Sequence, residues 1–239
     1  MLEVAQSLRE QVAWACRILA LDGYVDLTLG HVSARRTGEQ TLFIKRKGVA
    51  LDEVAPEDVV PLDLEADQAD AGPDMHLEAV IHTEIYKLRP DVGAVVHGHP
   101  PFATALGATE ARIEFLTHDA VLFPNGVSVY EETADLITEP QQGRAVAQAL
   151  GHRRALLLAN HGVVAVGKDV PWAVLAAITL ERSVRIQSIA RSLGALRSIS
   201  AASAERLHTS KYQDHLVEEY WASWIRRVRR AGQAEGMPE

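Results

Sequence analysis

Two histidines, His97 and His99, close an apolar run at Ala94-Val95-Val96-His97-Gly98-His99. Residues two apart on a strand point to the same side, and about 7 Å of backbone separates them. Two imidazoles placed this way can converge on one ion. A metal centre that does chemistry usually takes three protein ligands and leaves a position open. His161, in Asn160-His161-Gly162, repeats the signature of apolar run, histidine, glycine, and is the leading third ligand. Glu78 and His82 stand four apart in a helical stretch, so they share a face. A carboxylate there can join the ligands or carry a proton. Taken alone, His82 reads as a packed helix histidine. His118, His152, His208 and His215 read as histidines without a chemical role.

These residues need elements to position them. Apolar spacing predicts an amphipathic helix over 2–21, and a turn then leads into a short strand that includes His31 and Ser33. Strands are expected at 41–47 and 57–65, followed by a polar Gly/Pro loop at 66–74. A helix over 75–88 is broken by Arg89-Pro90-Asp91-Val92-Gly93 and followed by the strand 94–99. Pro100-Pro101 suits the start of a helix. Strands at 112–118 and 126–132 flank a Pro-Asn-Gly turn, and 140–150 reads as a helix. Residues 154–168 hold two β-like runs around Asn160-His161-Gly162, and the rest from Pro171 is mostly helical. The pattern is a mixed β core with helices around it, in one domain over 1–239 with a helical tail near 200–230. In that tail Tyr220, Trp221 and Trp224 read as packing against the chain's own sheet.

Bulk properties narrow the function classes. Of 239 residues, 47% are hydrophobic and 23% charged, enough apolar material for a real core. The net charge of −8 argues against nucleic acid, which needs a basic face. Arg226-Arg227-Val228-Arg229-Arg230 reads as the solvated end of a helix. The lone cysteine, Cys16, lies in an apolar helical run and suits a reducing compartment. No secretory signal and no run of about 18 apolar residues is evident, so a cytoplasmic protein away from the membrane is expected.

Three longer patterns carry a resemblance. Glu78, His82, Ile85-Tyr86, Arg89-Pro90-Asp91-Val92 and Ala94 to His99 form one. Leu157-Leu158-Ala159-Asn160-His161-Gly162-Val163-Val164-Ala165-Val166-Gly167 forms the second, and Gly30-His31-Val32-Ser33-Ala34-Arg35 the third. Together, over roughly 5–195, the chain resembles the class II aldolase/adducin-head family. The resemblance implies a three-layer α/β/α sandwich with a central nine-stranded mixed sheet, and a homotetramer with the site between subunits. It implies that His97, His99 and His161 ligate a divalent transition metal: zinc, manganese, iron or cobalt. It also implies that Glu78 is the acid/base carboxylate.

The departures from the family pattern bear on substrate. Sugar-phosphate aldolases of the family carry Ser-Ser before the glutamate, where this chain has His76-Leu77. They carry a Thr/Ser-rich turn where it has Lys45-Arg46-Lys47-Gly48, and Gly-Asn-x-Ser where it has Gly30-His31-Val32-Ser33. Hydroxyls and backbone N–H groups cradle phosphate, while cations suit a carboxylate. Gly-His-Val-Ser, His76-Leu77-Glu78 and Thr117-His118-Asp119-Ala120-Val121-Leu122-Phe123 are similar to a decarboxylase subset acting on hydroxylated aromatic or pyridine carboxylates. The expectation is non-oxidative decarboxylation of an ortho-hydroxylated aromatic carboxylate, with 3,4-dihydroxyphthalate going to 3,4-dihydroxybenzoate. In it Glu78 or His76 supplies the proton, and His31, Ser33, Arg46 and Lys47 hold a retained carboxylate. The alternatives are an aldolase or other lyase acting on a sugar phosphate or hydroxy-carbonyl, and a non-catalytic adducin-like interaction module.

Overall fold

The computed structural model describes residues 7–65 and 72–238. Residues 2–6 of the expected first helix and 66–71 of the expected polar loop lie outside the described residues. Helix α1 (Leu8–Leu21) starts where Ser7 caps it: the Ser7 hydroxyl accepts from the Glu10 N–H, and the Glu10 carboxylate accepts from the Ser7 N–H at 2.6 Å. β1 (His31–Ala34), β2 (Thr41–Lys45) and β3 (Val59–Asp63) follow, with a short 3₁₀ turn at Pro56–Asp58. Then come α2 (Ala79–Leu88), β4 (Ala94–Gly98), α3 (Pro101–Gly107), β5 (Ser128–Tyr130), α4 (Pro140–Leu150), β6 (Ala155–Leu158) and β7 (Gly162–Gly167). Three helices finish the chain: α5 (Val170–Leu193), α6 (Ala201–Lys211) and α7 (Asp214–Arg230).

The strands form one mixed sheet in the order β3-β2-β1-β4-β7-β6-β5, antiparallel throughout except for the parallel pair β5–β6. Helices cover both faces, giving the expected three layers. On one face Val32, Ala34, Val96 and Ala165 pack with Trp14, Ile18 and the apolar side of α5. On the other, Val95, Leu156, Leu158 and Val164 pack with Ile81 and Ile85 of α2 and Val146 and Leu150 of α4. Each fully buried valine, leucine or isoleucine there contributes about 1.5–3 kcal/mol. Alternation along β4 sends apolar residues to both layers, while β1 turns Val32 and Ala34 to one layer and buries His31 and Ser33 on the other face.

The described residues hold seven strands, not nine. The stretch 112–118 was expected to pair and does not. Its backbone bonds go elsewhere: the Glu114 N–H and the Arg112 carbonyl both bond the Gln187 side chain of α5 at 2.8 Å, and the Ile199 N–H bonds the Phe115 carbonyl at 2.7 Å. The expected helix over 75–88 begins only at Ala79, with Glu78 at its N-cap. The aromatic side chains of α7 settle on the chain's own core: Tyr220, Trp221 and Trp224 are half-buried against the layer of α1 and α5. Its basic end is exposed, with Arg227 paired to Asp22 at 2.6 Å. No helix among the described residues is long and apolar enough to cross a membrane.

Candidate metal centre

Register brings the histidines together. β1 and β4 pair so that His31 lies opposite His97, and β4 and β7 pair so that Gly98 lies opposite Val163. The carboxyl end of β4 therefore meets the β6–β7 turn that carries His161. Asn160 takes a left-handed conformation there, φ 56°, which its short polar side chain tolerates. The rings of His97, His99 and His161 stand 5.0, 5.2 and 5.3 Å apart, nearly an equilateral triangle. One nitrogen from each lies within 4.8 Å of the others. Glycine is required beside them: a Cβ at Gly162 would come within 2.6 Å of the His99 ring, and one at Gly98 within 2.8 Å of the Asp26 carboxylate.

Hydrogen bonds decide which nitrogen each ring presents. His97 Nδ1 lies 3.0 Å from the Val163 carbonyl, which only accepts, so Nδ1 carries the hydrogen and Nε2 keeps its lone pair. His99 Nδ1 lies 3.3 Å from Asp26, whose carboxylate also accepts the His99 backbone N–H at 2.8 Å. Asp26 thus aims His99 Nε2 into the triangle, as carboxylates behind metal-bound histidines do. His97 Nε2 and both ring nitrogens of His161 are buried with no hydrogen-bond partner. Such atoms are costly unless something outside the chain satisfies them. Three converging lone pairs, two of them orphaned, fit a divalent transition ion of the nitrogen-loving kind.

Glu78 faces the same point. Its two oxygens lie 3.5 Å from His97 Nε2 and from His161 Nε2, and one accepts the Ile137 N–H at 2.9 Å. As an N-cap residue it makes no side-chain bond to its own helix, so its carboxylate is free to turn inward. Burial alone would raise its pKa, but His161, His97 and the Ile137 N–H outweigh burial and hold it well below the usual range. Glu78 is therefore a carboxylate at neutral pH. Burial, then Lys45, pushes His76 down to about 3, so His76 is neutral. Its Nε2 also faces the Lys45 ammonium at 3.4 Å, leaving no hydrogen there to give. Of the two proton carriers expected, Glu78 is the one with a free, site-facing atom.

The expected substrate residues divide. His31 joins the cluster, with its ring 4.9 Å from His97 and 4.4 Å from His76. Ser33 is fully buried and bonds inward to His82 at 2.6 Å and Tyr86 at 2.9 Å. Arg46 pairs with Asp58 at 2.8 Å, and the Lys47 side chain is exposed. Lys45, the first of the three cations that replace the Thr/Ser-rich turn, is fully buried. Its ammonium bonds the Thr28 carbonyl at 3.1 Å and has no carboxylate within ion-pair distance among the described residues. Burial lowers its pKa. Asp26 and Lys45 are the two site residues that spacing alone did not select.

Known proteins resemble this chain in sequence and in fold. A family model described as "Class II Aldolase and Adducin N-terminal domain" matches residues 10–188. The meiotically up-regulated gene 14 protein of Schizosaccharomyces pombe is 32% identical, over 74% of this chain and 70% of its own length. A 3,4-dihydroxyphthalate decarboxylase from Arthrobacter keyseri is 34% identical, over 72% of this chain and 74% of its own. Among solved structures, L-fuculose 1-phosphate aldolase from Glaciozyma antarctica PI12 superposes with a TM-score of 0.82. It covers 97% of this chain and 92% of its own at 23% identity, a likeness of fold. The chain belongs to the class II aldolase and adducin N-terminal domain family, a family of lyase type.

Proposed function

We propose that the chain is a metal-dependent carbon–carbon lyase that decarboxylates an ortho-hydroxylated aromatic carboxylate, with 3,4-dihydroxyphthalate as the best candidate. The observation that carries the reading is the pairing of a three-histidine centre with a wall of histidine and lysine where a phosphate cradle would need hydroxyls. The 34% identity to a 3,4-dihydroxyphthalate decarboxylase supports it. His97, His99 and His161 would hold the ion, with Glu78 beside them. A divalent ion there supplies Lewis-acid stabilisation of negative charge on a substrate oxygen.

The chain's own groups do the rest. Glu78, a carboxylate within reach of the same point, takes the proton of the ring hydroxyl as substrate binds. It returns that proton to the ring carbon that bears the departing carboxylate. The bond from that carbon to the carboxylate then breaks, CO₂ leaves, and its electron pair restores the aromatic ring. A low pKa suits the first half of this cycle, because the resting group must be empty. His76 stays neutral and packs against His31. Lys45 adds buried positive charge behind it, which favours an anionic substrate over a neutral one.

The test offers 3,4-dihydroxyphthalate and L-fuculose 1-phosphate separately to metal-loaded protein and identifies products by mass spectrometry. Formation of 3,4-dihydroxybenzoate from the first, with the second untouched, is expected. Cleavage of the sugar phosphate alone would make the chain an aldolase.

A further inference from the structure

Four buried polar groups form one chain leading away from the metal centre. The Tyr86 hydroxyl lies 2.9 Å from Ser33 Oγ, and Ser33 Oγ lies 2.6 Å from His82 Nδ1. His82 Nε2 lies 2.7 Å from His31 Nδ1. Exposure of the four residues is 1% or less, so water does not correct a wrong choice of hydrogen direction.

Two continuous directions are geometrically open; a broken chain, with Ser33 accepting from both Tyr86 and His82, leaves the hydrogen of the fully buried Ser33 without an acceptor. In the first, Tyr86 donates to Ser33, Ser33 donates to His82 Nδ1, and His82 Nε2–H donates to His31 Nδ1. Every hydrogen between the four groups then has an acceptor, and the one left over, on His31 Nε2, is on an atom that is not fully buried and remains for an occupant of the site. In the second, His31 Nδ1–H donates to His82, His82 Nδ1–H donates to Ser33, and Ser33 donates to Tyr86. The Tyr86 hydrogen is then left without an acceptor among the described residues. Tyr86 cannot shed it, since burial pushes that pKa well above the ordinary phenol value. Its other close polar neighbours, the Arg35 guanidinium 4.6 Å above the ring and the Val95 N–H, offer only donors. A buried donor left unmade disfavours the second direction by about tenfold or more.

The first direction fixes His31. Its Nδ1 accepts, so its single hydrogen sits on Nε2, which has no partner among the described residues. A ring nitrogen that carries hydrogen cannot ligate an ion. This matters because His31, Glu78 and His97 also present atoms within 4.8 Å of one another, a rival ligand set. The hydrogen direction removes His31 from that set and makes it a donor beside the centre.

We propose that Tyr86, Ser33 and His82 are positioning residues that lock His31 as an Nε2–H donor to an anionic oxygen of the substrate, next to the metal ligands and not among them. That the oxygen belongs to a carboxylate rests on the function proposed above. The direction of the chain does not.

The experiment uses zinc-loaded protein with ¹⁵N-labelled histidine rings, read by long-range proton–nitrogen correlation. His31 is assigned by the signal lost in His31→Leu, or by through-space contact with the His82 ring if that variant does not fold. The expected spectrum places the His31 hydrogen on Nε2. Ser33→Ala cuts the chain and is expected to give a mixture of His31 tautomers while zinc stays bound. His31→Leu is expected to keep zinc, to weaken 3,4-dihydroxybenzoate binding about tenfold, and to leave catechol, which lacks a carboxylate, unchanged. A wild-type hydrogen on His31 Nδ1, an unaltered tautomer in Ser33→Ala, or loss of zinc from His31→Leu would each overturn the inference. Wild-type protein that binds neither aromatic would refute the aromatic reading of function, and the nitrogen spectrum would still decide the lock.

Discussion

Lys45→Met probes the least expected residue of the site. The wild-type ammonium is fully buried and has three N–H donors. Thr28 takes one at 3.1 Å, and His76 takes one at a long 3.4 Å. A buried charged donor short of partners costs about 1–3 kcal/mol. A volume-conserving exchange into an apolar side chain costs less than about 1.5 kcal/mol. The variant is therefore expected to be more stable by about 1 kcal/mol, or about 2–4 °C in Tm for a chain of this length. The pH dependence has a definite sign. Burial lowers the folded-state pKa of Lys45 below its ordinary 10.5. Below the folded pKa the ammonium is charged in both states and the penalty is complete. Above it the penalty shrinks, and it is gone once the pH exceeds the unfolded pKa. The stability gap should thus be widest at neutral pH and close as pH climbs toward 10.5. Urea unfolding of metal-stripped wild type and variant across that range measures it. A variant less stable than wild type at neutral pH, or a gap that widens with pH, refutes the reasoning.

Three further outcomes are expected. Glu78→Gln should lower kcat by about 10²–10⁴ while metal content stays at the wild-type level, measured by elemental analysis beside steady-state rates; an unaltered rate removes Glu78 from the proton path. Asp26→Asn leaves the His99 ring without its carboxylate, so metal affinity should fall about 10–100-fold in a chelator competition. Cys16 is fully buried, and burial pushes its thiol up to about 12. Thiol reagents at pH 8 should therefore label it only as fast as the protein unfolds, and rapid labelling without denaturant would contradict this burial.

Much of the site was legible because it depends on short-range periodicity. His99 falls one residue past the end of β4, yet its ring still converges with that of His97, and the shared signature of apolar run, histidine, glycine marks both strand ends that meet. What spacing missed came from contacts between distant segments. Residues 112–118 have the alternation of a strand, yet a single side chain, Gln187, takes two of their backbone groups and no ladder forms. Arg46 and Lys47 carry the charge expected of an anchor, but Arg46 is spent on Asp58. Their neighbour Lys45 is buried, with its ammonium against the Thr28 carbonyl and His76, both distant in sequence. Asp26 lies in a loop whose aim at His99 depends on the approach of Gly98. The α7 aromatics pack partly against the apolar layer of α1 and α5, as expected of a helix lying on its own core.

The most direct test of the central claim is CO₂ release from 3,4-dihydroxyphthalate by one preparation measured as metal-loaded, as chelator-stripped, and as stripped then reloaded. A metal-dependent decarboxylase at the three-histidine centre releases CO₂ in the first and third states, forms 3,4-dihydroxybenzoate in equal amount, and falls silent in the second. Equal release in all three states, or none from protein carrying a full complement of metal, would contradict it.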